Sequence, residues 1–242
     1  MSLSCLLVWP IATPAFYSDT WRNTWLYEME SYVSGEIPEA DFDIFDGSKF
    51  SMFESFINKI CLNNYDIIFV VAPLDSMDGF LKTIYYIRQV SPSSKIFAYG
   101  YATVLNQTYF ESLDIDAFAL TGDFEHAVKT YVNFQITNEQ PYNVATKEGT
   151  IWKSYVGLQK ENMNWKFIRP EYVADWDVIR LTVARGCVGN CPFCIAPALH
   201  GCKEQRKSTK EIMDYIGELH KYGYTSKPIE FAAPSVLTSC DL

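Results

Sequence analysis

Apolar residues along this chain fall into short continuous runs, separated by stretches in which they recur at helical spacing. Cys5-Leu6-Leu7-Val8-Trp9-Pro10 is such a run closed by proline, the pattern of a strand buried on both faces. Trp21, Trp25, Met29 and Tyr32 then recur at helical spacing up to Gly35. Phe42-Asp43-Ile44-Phe45 predicts a second strand. Between Lys49 and Asn64, one helical face carries Phe50, Phe53, Ile57, Ile60 and Cys61, which makes Cys61 an expected core residue. Asp66-Ile67-Ile68-Phe69-Val70-Val71-Ala72-Pro73 is the clearest buried strand. A helix is expected from Asp78 to Val90, with Phe80, Leu81, Ile84, Tyr85 and Ile87 inward, ending ahead of Ser91-Pro92. Strands at Lys95 to Gly100 and Asp116 to Leu120 and a helix from Phe124 to Phe134 complete the series.

Strands alternating with helices through short loops predict a doubly wound parallel sheet, so residues 1–135 are expected to be one Rossmann-like domain. A Gly-rich dinucleotide fingerprint is absent, which leaves an NAD site unsupported. Residues 136–176 read as a linker punctuated by Pro141, Gly149 and Pro170. Within it, Ile151-Trp152 and Trp165-Lys166-Phe167-Ile168 are expected as short strands or packing anchors. Residues 177–242 open with Val178-Ile179-Arg180-Leu181-Thr182-Val183-Ala184, whose alternation predicts a strand. Further on, Ser208-Thr209-Lys210-Glu211 is a capping box, ahead of a helix with Ile212, Tyr215, Ile216 and Leu219 inward and a stop at Gly223. Pro228 to Pro234 predicts the next strand. Strand, loop, helix and strand make the start of a (β/α) barrel, so the fold class is α/β throughout.

Composition narrows the classes of function. The 242 residues carry a net charge of −9 without a dense basic run, which argues against a nucleic-acid backbone as partner. No apolar run approaches a membrane span, and the start lacks the basic region of a secretory signal. With 7 Cys, an odd number, a disulfide framework is disfavoured, and a cytoplasmic, reducing compartment is the expectation. Aromatics, at 16%, are expected in the core and in pocket walls.

The candidate chemistry follows the strand at 178–184. Arg185-Gly186 leads into Cys187-Val188-Gly189-Asn190-Cys191-Pro192-Phe193-Cys194, three cysteines at C-x3-C-x2-C on a loop leaving a strand's C-terminal end. Three thiolates on one loop can hold three irons of a 4Fe–4S cluster; full protein ligation takes four cysteines, so one iron would stay open. The same cysteines with Cys202 and His200 could instead hold zinc, although the second C-x2-C pair usual for zinc is missing.

The strand, the Arg-Gly step, the spacing and Phe193 before the last cysteine together resemble the radical S-adenosylmethionine (SAM) superfamily. That resemblance implies a 4Fe–4S cluster on Cys187, Cys191 and Cys194, with SAM chelating the open iron and being cleaved reductively to a 5′-deoxyadenosyl radical. It places Phe193 beside the adenine of SAM, brings Arg206 of Arg206-Lys207-Ser208 toward the SAM carboxylate, and implies an electron donor such as flavodoxin or ferredoxin and a small-molecule or peptide substrate. Ala232-Ala233-Pro234-Ser235 departs from the acidic motifs of many members at the SAM amino group.

Residues 1–135 resemble the cobalamin-binding-type domain of one branch of that superfamily, through Leu6-Leu7-Val8-Trp9-Pro10, Tyr99-Gly100-Tyr101-Ala102-Thr103 and Thr121-Gly122-Asp123-Phe124-Glu125. The resemblance implies that cobalamin, where bound, meets Ser76 and Gly100 at strand ends. The Asp-x-His-x-x-Gly cobalt-ligand pattern is absent and Tyr101 stands where small residues are usual, so a domain that keeps the fold without cobalamin is the equal alternative. With cobalamin the implied reaction is methyl transfer; without it, another radical rearrangement, oxidation or epimerisation. The residues after Cys187 suffice for about one and a half βαβ units of roughly 30 residues each. A partial barrel is therefore expected, from a longer enzyme or one completed by a second polypeptide, and the chain alone is expected to lack turnover. A non-catalytic assembly module that keeps the cluster, and a zinc-stapled structural protein, are the competing readings.

Overall fold

The computed structural model describes residues 2–11, 24–50, 52–156, 165–189, 191–200 and 202–233. Trp21, Asn190, Pro234-Ser235 and Cys240 lie outside them.

One seven-stranded sheet organises the first part of the chain, in the order β2-β1-β3-β4-β5-β6-β7. Its parallel part is β1 (Leu3–Trp9), β2 (Ala40–Asp46), β3 (Ile67–Val71), β4 (Lys95–Tyr99) and β5 (Ala117–Ala119). The order 2-1-3-4-5 is the flavodoxin-like variant of the doubly wound fold, with the switch of direction between β1 and β3. Both faces are covered, and the strands divide their side chains with period two. Cys5, Leu7, Ile67, Phe69, Phe97 and Tyr99 enter the core beneath α1 (Thr24–Glu36) and α6 (Phe124–Thr137). Leu6, Val8, Ile68, Val70, Ile96 and Ala98 enter the core beneath α2 (Phe53–Leu62) and α3 (Met77–Val90).

Local chemistry accounts for the departures from expectation. Cys61 is exposed, because the buried face of α2 is set by Phe56 and Ile60, and Cys61 lies a further 100° round the helix. Phe50 precedes the helix and stacks on Phe45 with ring centroids 5.0 Å apart. Between β4 and β5 the chain forms two short helices, α4 (Tyr101–Leu105) and α5 (Gln107–Glu111), the second capped by the Asn106 side chain. Residues 144–155, expected in the linker, add an antiparallel hairpin to the sheet: β6 (Val144–Glu148) on β5, and β7 (Ile151–Tyr155) on β6. Trp152 anchors that hairpin on Phe118 at 5.2 Å and donates its indole N–H to the Glu111 carbonyl. Trp165 to Ile168 form no strand; Trp165 and Ile168 are buried as packing anchors.

The second part is a parallel strand–helix–strand unit: β8 (Ile179–Thr182), α8 (Thr209–Lys221) and β11 (Ile229–Ala232). Arg180 and Glu230 face each other in register, and the guanidinium takes both carboxylate oxygens at 2.7 and 3.2 Å. The expected strand at 178–184 is divided at Val183. Its N–H donates to Ala232, completing the pairing with β11, while its carbonyl accepts from Lys207 on the other side. From there β9 (Ala184–Gly186) pairs antiparallel with β10 (Glu204–Arg206). Ile179, Leu181, Tyr215 and Leu219 join the core already made by α1, α6 and the first sheet, so both parts share one apolar interior.

The junction is made by α1. Glu30 pairs with Arg169, Ser31 accepts from the Arg169 amide, and Glu36 pairs with Lys166. Among the described residues no helix is long and apolar enough to cross a membrane.

Candidate functional site

The cysteine loop begins from a fixed point. Gly186 has φ +76°, and a Cβ there would lie 2.0 Å from the Lys203 carbonyl. Only glycine tolerates both that conformation and that approach, which explains the Arg-Gly step before the first cysteine. Cys187 is partly buried, whereas Cys191 and Cys194 are exposed, and all three are free thiols. The Gly189 amide donates to Cys187 Sγ at 3.3 Å. A Cβ on Gly189 would lie 3.4 Å from Cys187 Sγ and 3.8 Å from Cys191 Sγ, so the two sulfurs flank one bare backbone position. The Cys194 amide donates to the Cys191 carbonyl, closing a turn that leaves Phe193 90% exposed. A short helix, α7 (Ala196–His200), follows.

Three free thiols on one loop are a donor set that could take a metal cluster. Tetrahedral zinc gathers its ligands about one point at ~2.0–2.3 Å. Among the described residues no three His, Cys, Asp or Glu groups converge in that way, Cys202 and His200 included. A cubane spreads its thiolates over separate irons, and three free thiols on one loop with a backbone N–H on a sulfur match that need.

The loop flanks a cavity of about 330 Å³ between the two parts of the chain. Gly186, Ile195 and Leu199 line it from the loop, Arg180, Thr182 and Ala232-Ala233 from β8 and β11, and Trp25, Tyr99, Tyr101 and Phe124 from the C-terminal edge of the Rossmann-like sheet. Trp25 meets Tyr101 edge-to-face at 4.4 Å. Burial pushes the Tyr101 phenol up to about 12, Arg185 pulling it back and Cys194 adding to it. A shallow polar depression of about 430 Å³ at Ser4, Asp41 and Tyr65 lies at the opposite, N-terminal ends of the strands, away from the ends that α/β sheets use for ligands.

Several buried polar atoms at this edge lack partners among the described residues: Ser76 Oγ, Tyr99 Oη, Thr121 Oγ1 and His200 Nδ1. Buried polar groups are normally paired, and of these atoms those of Tyr99 and His200 belong to residues that line the cavity, where a ligand or water can complete the bonding. Burial, reinforced by Arg185, lowers the His200 pKa to about 4, so the imidazole is neutral at ordinary pH. Behind the loop, Arg185 lies between two buried carboxylates, with Glu28 Oε2 at 2.9 Å and Glu125 Oε1 at 2.7 Å. Burial pushes the Glu28 carboxyl up, the Arg185 charge working against it. Burial also opposes the Arg185 charge, but Glu125 and Glu28 outweigh it and hold the guanidinium protonated.

The sequence-derived candidates divide. The three cysteines share one loop whose flanking residues Gly186 and Ile195 line the cavity, while the cysteines themselves lie outside the lining. Phe193 is on that loop, yet its ring is exposed and outside the cavity lining. Arg206 is on β10, paired with Glu204 at 2.7 Å and also outside the lining; Arg180 and Arg185 are the arginines that reach the cavity. Gly100 has φ +131°, and a Cβ there would lie 2.7 Å from the Ala72 carbonyl oxygen, so glycine is required by the close approach of the chain beyond β3 and β4. Ser76 is buried at the start of α3. The sequence reading missed Glu28, and it named Arg185 and Glu125 only as parts of motifs and His200 only as a zinc ligand, never as a buried group; burial of charge is a property of the fold, and no spacing announced it.

No protein-family model and no curated protein matches the chain. Solved structures do. TsrM from Kitasatospora setae, a radical S-adenosylmethionine methyltransferase solved with tryptophan substrate and the SAM analog aza-SAM, superposes with TM-score 0.72 at 11% identity, over 98% of this chain and 49% of TsrM. The same enzyme with cobalamin and a 4Fe–4S cluster gives TM-score 0.68 at 10% identity, over 96% of this chain and 48% of TsrM. OxsB, a cobalamin-dependent S-adenosylmethionine radical enzyme with aqua-cobalamin and S-adenosylmethionine bound, gives TM-score 0.79 at 14% identity, over 97% of this chain and 34% of OxsB. The chain thus spans about half the length of TsrM and a third of OxsB. What it shares with these cobalamin-dependent radical SAM enzymes is the fold, across nearly all of its residues.

Proposed function

We propose that this chain is the N-terminal portion of a radical SAM enzyme, with Cys187, Cys191 and Cys194 as ligands of a 4Fe–4S cluster. The observation that carries the reading is the loop of three free thiols at the end of β9, flanking a cavity at the C-terminal edges of both sheets. A bound cluster supplies one electron, which cleaves SAM to methionine and a 5′-deoxyadenosyl radical. The chain's own residues bind, orient and exclude water. Gly186 fixes where the loop departs. The Gly189 amide supports the Cys187 sulfur. The backbone of Ala232-Ala233 and the side chains of Thr182, Tyr99 and neutral His200 offer hydrogen-bonding groups to a polar ligand in the cavity, and Trp25, Tyr101 and Phe124 keep its wall dry. An electron donor such as flavodoxin or ferredoxin would approach the exposed side of the loop, where Phe193 stands.

The names of TsrM and OxsB favour cobalamin-dependent chemistry, and methyl transfer in particular, as the reaction class. The unpartnered hydroxyls of Ser76, Tyr99 and Thr121 at the strand ends support a large polar group along that edge. The second reading, an assembly module that keeps the cluster without turnover, is favoured by one observation: among the described residues the barrel unit holds only the two parallel strands β8 and β11.

Anaerobic reconstitution with iron and sulfide, followed by absorption and EPR spectra with and without SAM, tests the proposal. A reduced-cluster signal that changes on adding SAM supports it. A protein that takes up no iron, or a cluster indifferent to SAM, rejects it.

A further inference from the structure

We infer that Glu28 and Glu125 act through Arg185 to fix the pose of the cysteine loop against the Rossmann-like sheet, and that Glu125 sets negative charge behind the loop. The inference rests on the cluster reading above and extends it to three residues outside the ligand set; Arg185, whose guanidinium also reaches the cavity, is a positioning residue.

Arg185 stands two positions before Cys187, and both its backbone and its side chain are held. Its backbone is paired with Gln205 of β10. Its side chain is 11% exposed and forks to two carboxylates on different helices of the Rossmann-like part, Glu28 of α1 (1% exposed) and Glu125 of α6 (6%). The guanidinium carbon lies 5.0 Å from the Trp165 ring centroid, which closes its remaining face. A fork with acceptors on two helices fixes direction as well as position, which a lysine ammonium does not do. Gly186, pressed on the Lys203 carbonyl, passes that fixed geometry directly to the first cysteine.

Burial pushes the Glu28 carboxyl up, and Lys207 shares the Trp165 ring with Arg185, so the carboxylate whose charge bears most plainly on the loop is Glu125. Buried charges are weakly screened. A net negative charge near a cluster disfavours the reduced, more negative form, and so lowers the reduction potential and makes the reduced form a stronger donor.

The test uses the full chain with Glu28→Gln, Glu125→Gln and Arg185→Lys. Hydrogen exchange of the iron-free protein reports positioning without any cluster. The expected result is exchange over residues 184–200 faster by about tenfold or more in all three variants, with β1, β3 and β4 unchanged. Potentiometry of the reconstituted protein reports charge. The expected result is a higher midpoint potential in Glu125→Gln and an unchanged one in Arg185→Lys, which keeps the cation. Wild-type exchange over 184–200 in the glutamine variants, or acceleration spread evenly over the whole sheet, overturns the positioning role. A potential unmoved or lowered in Glu125→Gln overturns the electrostatic one. If the wild type takes up no iron, the cluster reading falls, and the exchange arm still decides whether Arg185 anchors the loop.

Discussion

The amide of Gly122 donates to the carbonyl of Leu199 at 3.0 Å, so the helix that follows the cysteine loop rests directly on the C-terminal end of β5. The approach is close enough that a Cβ on Gly122 would meet the Leu199 carbonyl oxygen at 2.6 Å and its Cβ at 2.9 Å. Both obstacles are held by the backbone of α7 and cannot swing away as a flexible side chain would. Gly122→Ala is therefore expected to cost about 1–3 kcal/mol, the usual range for overpacking. Equilibrium urea unfolding measures it. A loss below a few tenths of a kcal/mol would mean that α7 floats on the sheet edge and does not rest on it.

A pH dependence follows from His200. Its pKa in the folded chain is lowered to about 4 by burial and by Arg185, against an ordinary value of 6.5. The sign follows from proton counting: between these values the unfolded chain binds the proton and the folded chain does not, so acid favours unfolding. The contribution of His200 is intact above pH ~6.5 and is lost progressively as the pH falls toward ~4, by roughly 2–3 kcal/mol at most. His200→Gln is expected to flatten the stability profile across that window. Urea midpoints at pH 7, 6, 5 and 4.5 for both proteins check it. Parallel profiles would show that the imidazole is not buried as described.

How much of this was legible in the sequence depends on where each signal resides. The run Ile67 to Val71 could be read because both faces of β3 are buried, which makes every position apolar. The helix α8 could be read because Ser208 and Glu211, three positions apart, announce its start. The three-residue strands β9 and β10 could not. Glu204-Gln205-Arg206 has no apolar position, and it is a strand only because 184–186 lies beside it. The hairpin 144–155 was legible only in part: Ile151-Trp152 was expected as a short strand or anchor, whereas β6 ends in the exposed Lys147-Glu148, so no alternation marks its pairing with β7. In the site, the cysteine spacing is local and was visible, as was the glycine before it. The pairing of Arg185 with Glu28 joins residues 157 positions apart, and its two carboxylates look in sequence like ordinary helix-surface charges. Arg206 illustrates the reverse error, a local motif whose side chain the fold sends to Glu204.

The capping box at α8 gives a prediction that is independent of any cofactor. Ser208 Oγ accepts from the Glu211 amide at 3.2 Å, and the Glu211 carboxylate accepts from the Ser208 amide at 2.9 Å. Those bonds from Ser208, first from its backbone and then from its side chain, hold the Glu211 pKa down at about 2. Because the carboxylate is the bonded form, its share of the stability is present above pH ~4.5 and fades as the pH falls toward ~2. Ser208→Ala is expected to cost about 1 kcal/mol at neutral pH. Far-UV circular dichroism during urea unfolding measures it. An unaltered midpoint would show that packing of Ile212, Tyr215 and Leu219 alone starts the helix here.

The cysteines offer the sharpest division between metals. A cluster on Cys187, Cys191 and Cys194 leaves Cys202 without a role, whereas a zinc site needs a fourth ligand, and Cys202 or His200 is the nearest in sequence. Single alanine variants at 187, 191 and 194 are therefore expected to lose most of their iron and acid-labile sulfide after anaerobic reconstitution. Cys202→Ala is expected to keep the wild-type content and the same visible absorption. Cys202 is exposed and outside the cavity lining, so its removal disturbs no packing that would confuse the result. Zinc at one equivalent in the wild type, lost in Cys202→Ala together with the other three variants, would exchange the cluster for a four-ligand structural ion. Iron retained in Cys202→Ala but absent from the other three ties the metal to the C-x3-C-x2-C loop itself. In that case Cys202, the nearest further cysteine, is no ligand, and three thiolates leave one iron of a 4Fe–4S cluster open to a ligand from outside the loop.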